Sequence, residues 1–410
     1  MNIKIKNIGK IKHADIDISS VAVICGANGI GKSTISKSLF SSFNSLSNIN
    51  SKLDVEFKNN LSSLAYKILP FDKCKEFIEE VISNKSDIEK VYDLASKYIG
   101  DNEKYNNFIN EYNAIINTKD NLVIDELVDR VFRSEFNKKI NDLYSNEEGV
   151  VQLTLNDNKS EFRINNNHVK VKNPIEISSE AIYIDDFKCI ESIKNGGFNY
   201  DAPGREQMKF LKNIIFENNA YLDHKGHLSN KLNNLTENNV IEDVLDNKDF
   251  KRIFDKVFEG CPGKIMIDQY SDYVYQLDGI EQSLDMSSLS DGMKNFLVIK
   301  MLLEHSTLLE NSVLILDEPE NHLHPEWQLL FAELIVFVNK YLNTRILINT
   351  NSPYFLNAVE VYASKYSIVE PKYYLAKVDG NVYDVTDNVE EAYAELARPF
   401  QILEDEMCEK

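Results

Sequence analysis

The sequence predicts an α/β fold, a buried sheet flanked by helices and interrupted by helical insertions, and three observations carry that prediction. Val21–Cys25 is a continuous apolar run of the kind a strand buried on both faces shows, and a glycine-rich segment and a helical pattern follow it at once. Residues 313–316 form a second such run, which ends in Asp317 and Glu318. Residues 71–149 and 188–260 are polar, with apolar residues at helical intervals such as Phe77, Ile78 and Val81.

The elements follow in order. Ile3 and Ile5 alternate with polar neighbours, as on a half-buried strand, and from Ser33 the residues Ile35, Leu39 and Phe43 lie along one helix face. After the first insertion Val151, Leu153 and Leu155 alternate, the turn Asn156-Asp157-Asn158 follows, Phe162 and Ile164 alternate again, and residues 181–184 make a short apolar strand. Gly196-Gly197 and Pro203-Gly204 mark a loop in the second insertion. Residues 265–267 and 273–277 read as a hairpin, and a helix through Leu303 precedes the second apolar strand. Pro325 opens a helix with Trp327, Leu330, Phe331, Leu334 and Val338 on one face. A strand at 345–350, a hairpin about Asp379-Gly380 and a helix after Asn388, interrupted at Pro399, complete the series.

At 410 residues the chain exceeds what one compact core comfortably holds, so a core domain with large insertions is expected. The boundaries read as 1–70 and 150–187 for the first parts of the core, 71–149 and 188–260 for insertions, and 261–410 for the rest of the core. A net charge of −20 disfavours binding of a polyanion over the whole surface. Lys4, Lys6, Lys10 and Lys12 recur with strand-like spacing, and a solvated strand face is preferred over a basic patch. Five scattered cysteines without a CxxC pair indicate neither a disulfide framework nor a zinc site. No run approaches the ~20 apolar residues of a membrane helix, and charges break up the N-terminus, so a cytoplasmic protein without membrane contact is expected.

Gly26-Ala27-Asn28-Gly29-Ile30-Gly31-Lys32-Ser33 satisfies G-x-x-x-x-G-K-[ST] between a buried strand and a helix. Glycines let backbone N–H groups wrap phosphates, the helix N-terminus adds partial positive charge, Lys32 neutralises the β and γ phosphates, and Ser33 can hold Mg²⁺. Thr34 completes the ATP-binding stretch. At the end of the second apolar strand, Asp317 is placed to hold Mg²⁺ and Glu318 to polarise an attacking water. Asn84-Lys85-Ser86-Asp87 spells the guanine-reading NKxD, but it follows a helical pattern and not a buried strand, so ATP is preferred to GTP. His322 and His324 alternate, which points their rings apart in an extended segment and argues against a metal pair.

Leu289-Ser290-Asp291-Gly292 lies 28 residues before Glu318, at the start of a helix, and closely resembles the LSGGQ signature of ABC-type ATPases. Asp317-Glu-Pro-Glu320-Asn-His-Leu-His324-Pro325, and the strand 346–350 followed by Asn351-Ser352-Pro353, resemble the Walker B, D-loop and switch region of the ABC branch that holds the SMC, RecF and OLD-family ATPases. Within it the chain is most similar to ATPase subunits of bacterial antiphage systems of the Septu kind. The likeness covers residues 1–45 and 260–400. It implies an ABC-type ATPase head, a P-loop NTPase with helical insertions, in which two copies sandwich ATP and Mg²⁺. Ser290 and Gly292 of one copy then face the nucleotide held by the other.

Where this branch usually has a switch histidine, Asn351 stands here; it can donate one hydrogen bond but carries no charge, which implies slow turnover. The Q-loop glutamine is not placed. With only a hairpin and a helix after the switch region, the nuclease domain of OLD-type members is not expected. The resemblance therefore implies a homodimer or higher oligomer acting on a separate effector protein, a nuclease being the leading expectation, and it leaves nucleic acid open as a partner. A RecF- or SMC-like DNA-maintenance ATPase and a nucleotide-sensing clamp with little turnover are the alternatives.

Overall fold

The computed structural model describes residues 1–142, 147–192, 223–233, 248–259, 263–267, 273–277, 279–280, 282–304 and 311–408. The expected loop at 196–204 lies outside these residues, as does most of the insertion expected at 188–260.

In chain order, β1 (Asn2–Ile8) and β2 (Ile11–Asp17) form a hairpin, followed by β3 (Val21–Cys25) and α1 (Lys32–Leu46). Five helices come next: α2 (Ile49–Ile68), α3 (Phe71–Ser83), α4 (Ile88–Tyr98), α5 (Asn102–Asn117) and α6 (Asp120–Glu135). Then come β4 (Gly149–Leu155), β5 (Asn158–Asn165), β6 (His168–Lys172), β7 (Ala181–Ile184) and the helices α7 (His224–Asn233) and α8 (Lys248–Phe258). The remainder is β8 (Lys264–Ile267), β9 (Tyr273–Gln276), β10 (Ser283–Asp285), α9 (Asp291–Glu304), β11 (Val313–Asp317), α10 (Pro325–Leu342), β12 (Arg345–Thr350), α11 (Pro353–Lys365), β13 (Lys372–Ala376), β14 (Val382–Asp384) and α12 (Glu390–Cys408).

Two compact units result, residues 1–47 with 128–410, and residues 48–127. The helical unit thus begins at 48, where the sequence reading put the start of the insertion at 71, and it is left by 128, before the expected end at 149. Its first helix was hard to see because only Leu61, Leu64 and Ala65 of α2, besides Ile49, are buried apolar residues. Inside this unit Phe77 packs edge-on against Phe108 at 5.3 Å, and Phe108 stacks on Tyr112. Asp87 caps α4 and Asp101 caps α5 by accepting backbone N–H bonds, the role short acidic side chains take at helix starts. Asn84 to Asp87 is the turn between α3 and α4, so NKxD sits between two helices and not after a strand.

In the larger unit a six-stranded sheet, in the order β14-β13-β3-β12-β11-β7, forms the centre, and only its β13–β14 pair is antiparallel. All five residues of β3 and of β11 are buried, as their uninterrupted apolar runs require. The register pairs Asn349 with both Ile24 and Asp317, and Thr350 with Cys25. The loops leaving β3, β11 and β12 therefore emerge side by side at one sheet end, where parallel α/β sheets place ligands. A five-stranded antiparallel sheet, β2-β1-β4-β5-β6, buries Ile3, Ile5, Val151, Leu153, Phe162 and Ile164 on one face.

Residues 313–316 and 345–350, the face of α10 and the β13–β14 hairpin fall where the periodicity puts them. Pro399 does not end the last helix: α12 runs through it. A proline inside a helix removes one backbone donor. The carbonyl left over is that of Glu395, which is half-exposed and so open to water.

Candidate functional site

β3 delivers the chain into a loop that only glycine can follow at its ends. Gly26 has φ 145° and Gly31 φ 111°; a Cβ on Gly26 would lie 2.6 Å from the carbonyl oxygen of Ala376, and one on Gly31 2.8 Å from Ile11 Cδ1. Gly29 has φ 76°, and its carbonyl accepts from Lys10 Nζ at 2.6 Å, so the tip of the β1–β2 hairpin ties the loop down. No side chain caps the start of α1 and its first turn holds no acid, which leaves N–H groups and the positive dipole end for an anion.

Lys32 opens α1 and is 5% exposed. Its ammonium donates to the carbonyls of Gly26 at 2.8 Å and Ala27 at 3.0 Å, and to Asn351 Oδ1 at 2.5 Å. Burial pulls its pKa below the ordinary lysine value, against the pull of Glu318, Asp317 and Glu320 in the other direction. Ser33 is exposed beside it, and Thr34 is half-buried against Gly9.

Asp317, at the end of β11, is oriented on both sides. Its Oδ1 accepts from Asn349 Nδ2 at 2.8 Å and its Oδ2 from the Tyr183 hydroxyl at 3.0 Å. Asn349 Nδ2 also reaches Ser36 Oγ at 2.8 Å, joining α1, β12 and β11. Burial, with Asp317 next, raises the Tyr183 pKa well above the ordinary tyrosine value, so the phenol stays a donor. Glu318 follows in the left-handed region, φ 49°, a conformation that costs a residue with a Cβ about 1–3 kcal/mol. Its Oε1 accepts from Asn351 Nδ2 at 2.5 Å and its Oε2 from Asn321 Nδ2 at 3.0 Å.

Asn351 leaves β12 and joins three groups: its oxygen meets Lys32, while its amide nitrogen donates to Glu318 and to Asn28 Oδ1. The structure therefore brings together Asn28, Lys32, Glu318 and Asn351 of the expected site residues, with Asp317 alongside. Ser290 and Gly292 are placed elsewhere. Ser290 Oγ accepts from Met293 N at 3.3 Å at the start of α9, and Gly292 packs on the His322 carbonyl, Leu323 and Trp327. Asp291 between them is paired with Lys188 and Lys294. A polar cleft of about 410 Å³ beside Glu318 is lined by Asp185, Lys188, Lys225, Asp291, Asn321 and His322 among others. His324 caps α10 by accepting from Glu326 N.

Tyr183 and Asn349 are not among the expected site residues, and Lys10, expected on a solvated strand face, instead reaches the Gly29 carbonyl. Tyr183 and Asn349 lie 134 and 32 positions from Asp317; the signal for Tyr183 is a lone hydroxyl in an otherwise apolar strand, and for Asn349 a polar side chain directly after the apolar run 346–348. Among the described residues no group of three or more His, Cys, Asp and Glu side chains could hold a metal ion, and no helix is long and apolar enough to cross a membrane.

A family model described as AAA ATPase domain matches residues 1–356. Over 175 residues the chain is 33% identical to the uncharacterized ABC transporter ATP-binding protein YfmM of Bacillus subtilis (strain 168), a stretch that is 42% of this chain and 28% of that relative. The match thus spans under a third of that relative's length. Among solved structures, the SMC head domain from Thermotoga maritima is similar at TM-score 0.35 and 11% identity, covering 94% of this chain and 97% of that one. The recombination mediator protein RecF-ATPrS is similar at TM-score 0.37 and 14% identity, covering 94% and 97%. The Smc head bound to the C-terminal domain of ScpA, derived from Pyrococcus furiosus, is similar at TM-score 0.39 and 12% identity, covering 98% of each chain.

Proposed function

The chain belongs to the AAA ATPase domain family, and from that premise we propose that it is an ABC-type ATPase that binds ATP in the 26–34 loop and hydrolyses it through Glu318. The observation that carries this reading is the Asn351 amide, which joins the phosphate-loop lysine to the carboxylate expected to polarise water. A purely structural glycine turn has no use for such a bridge.

The donor set suits Mg²⁺, a hard cation that takes oxygen ligands and keeps substrate phosphates among them. Ser33 and Asp317 would hold it, and when bound it would neutralise charge on the phosphates. On ATP entry the loop N–H groups and the start of α1 take the phosphate oxygens, and Lys32 exchanges the carbonyls of Gly26 and Ala27 for the β and γ phosphates. Glu318 then accepts a proton from water as the new O–P bond forms and the bond from the γ-phosphorus to the bridging oxygen breaks, releasing ADP and phosphate. Asn351 Nδ2 supplies a hydrogen bond to the water or the γ-phosphate, without the charge a histidine could bring.

In this proposal two copies close on two nucleotides, Ser290 and Gly292 of one copy meeting the γ-phosphate held by the other. The closed dimer, or a higher oligomer of it, controls a separate effector, a nuclease being the leading candidate, as an ATPase subunit of the PtuA kind would in antiphage defence. A RecF- or SMC-like role in DNA maintenance uses the same site and differs by ATP-dependent DNA binding of the dimer. Steady-state ATP turnover of the wild type and Glu318→Gln tests the core of the reading: a wild-type rate no higher than that of the variant would sink it.

A further inference from the structure

Glu320 is 6% exposed and lies two residues beyond Glu318. One of its oxygens does all the bonding. Oε1 accepts from the Thr350 hydroxyl at 2.6 Å, from Asn351 N at 2.9 Å and from Ser352 N at 3.2 Å, whereas Oε2 is buried without a hydrogen-bond partner. Thr350 Oγ1 itself accepts from Ser352 N at 3.0 Å, and Ser352 Oγ donates to Gln328 Oε1 at 2.9 Å while capping α11. The three residues around Asn351 are thus pinned from the β11 side, and the backbone of Asn351 is held by a different carboxyl group from the one its side chain meets.

We propose that Glu320 is a positioning residue for ATP hydrolysis, fixing the 350–352 turn so that the Asn351 amide stands between Lys32 and Glu318. The inference rests on the reading that Glu318 and Asn351 serve hydrolysis. Three donors converging on one oxygen need an acceptor there and nothing more, and the bare Oε2 shows that a second acceptor is not used. Burial moves the carboxyl group above its ordinary pKa, with nearby Glu318 adding to the shift, while the bonds from Thr350 and Asn351 pull the other way. Glutamine keeps that shape and that acceptor, at the cost of an amide NH₂ where Oε2 stands without a partner.

Steady-state ATP kinetics of the wild type, Glu320→Ala, Glu320→Gln, Thr350→Val, Asn351→Ala and Glu320→Ala/Asn351→Ala test it, with thermal melts alongside. Glu320→Ala is expected to lose roughly ten- to a hundredfold in kcat with KM for ATP nearly unchanged, the signature of a displaced group that acts in the transition state. Glu320→Gln is expected to recover part of that loss, Thr350→Val to lose a few-fold, and the double variant to be no slower than Asn351→Ala alone. Turnover of Glu320→Ala close to wild type, glutamine as damaging as alanine, or independent losses in the double variant would each overturn the proposal. If Glu320→Ala does not fold, Thr350→Val and Glu320→Gln decide: an unchanged Thr350→Val or a glutamine variant without turnover overturns it. Failure of the underlying reading is distinguishable, because the wild type and Glu318→Gln would then turn over alike, whereas failure of this inference leaves their difference intact.

Discussion

Lys32 Nζ and Asn351 Oδ1 lie 2.5 Å apart although 319 positions separate them in the chain. The cation that would meet phosphate in the proposed function is already engaged by Asn351, so nucleotide would have to displace a bond before it forms its own. Asn351→Ala should therefore bind ATP as tightly as the wild type or tighter, while kcat falls by about 10²-fold, the scale of a lost transition-state donor. Equilibrium titration with a fluorescent ATP analogue and single-turnover rates separate the two effects. Weaker binding with an unchanged rate would contradict this account.

Gly26 gives a prediction from backbone geometry. Its φ of 145°, and an Ala376 carbonyl oxygen only 2.6 Å from where a methyl group would stand, leave alanine no room. Gly26→Ala should destabilise the chain by about 1–3 kcal/mol and abolish ATP binding. Gly100→Ala, at a position with nothing within 4 Å of the added carbon, is the control and should change stability by no more than about 0.5 kcal/mol. Urea unfolding of the two variants checks both.

His224 supplies a pH dependence. Its Nδ1 lies 2.8 Å from Glu135 Oε1, its Nε2 lies 3.0 Å from Asp185 Oδ1, and Tyr183 packs on the ring at 4.1 Å between centroids. Burial opposes the charge, but Asp185 and Glu135 outweigh it and raise the ring from 6.5 to about 9; Lys225 shares Asp185. The folded state thus holds the proton more tightly than the unfolded one. Its contribution is complete below pH 6.5 and is lost as pH rises through about 9, with an upper bound of about 3 kcal/mol. Stability measured from pH 6 to 9.5 should fall for the wild type and change less for His224→Leu; parallel curves would refute the assignment.

At the other end of the pH range stands Glu333, 1% exposed on α10. It accepts from Lys256 Nζ at 2.8 Å, Lys365 Nζ at 3.0 Å and the Tyr366 hydroxyl at 2.6 Å. Burial works against its charge, yet the two lysines and the tyrosine hold its pKa below the ordinary 4.5. Its stabilisation is therefore present above that value and lost as pH falls below it. Glu333→Gln should cost about 2 kcal/mol at neutral pH and flatten the acid limb of the unfolding curve, followed by circular dichroism.

Much of this was legible in the sequence because its signals are local. The all-apolar runs of β3 and β11 announce strands buried on both faces, and the glycine spacing between β3 and α1 announces the tight loop that joins strand to helix. What stayed hidden is mostly long-range or contextual. Nothing near Tyr183 says that its hydroxyl meets Asp317 across the β7–β11 pair, and nothing near Asn349 says that it binds Ser36 and Asp317 at once. Glu320 stands in the segment that resembles Walker B and D-loop, yet its partners belong to another strand end. The early start of the helical unit was hidden by composition: most of α2 is polar and half-exposed.

The order of the central sheet has a consequence for synthesis. β3 is complete at residue 25, but both its neighbours, β12 and β13, lie at 345–350 and 372–376. At 5–20 residues per second, the roughly 320 residues between β3 and β12 take on the order of half a minute to translate. During that time an apolar strand that ends buried on both sides has neither edge partner available. Such a nascent chain is a natural client for a chaperone that shields extended apolar segments, and slowing elongation within residues 50–340 should lengthen that dependence.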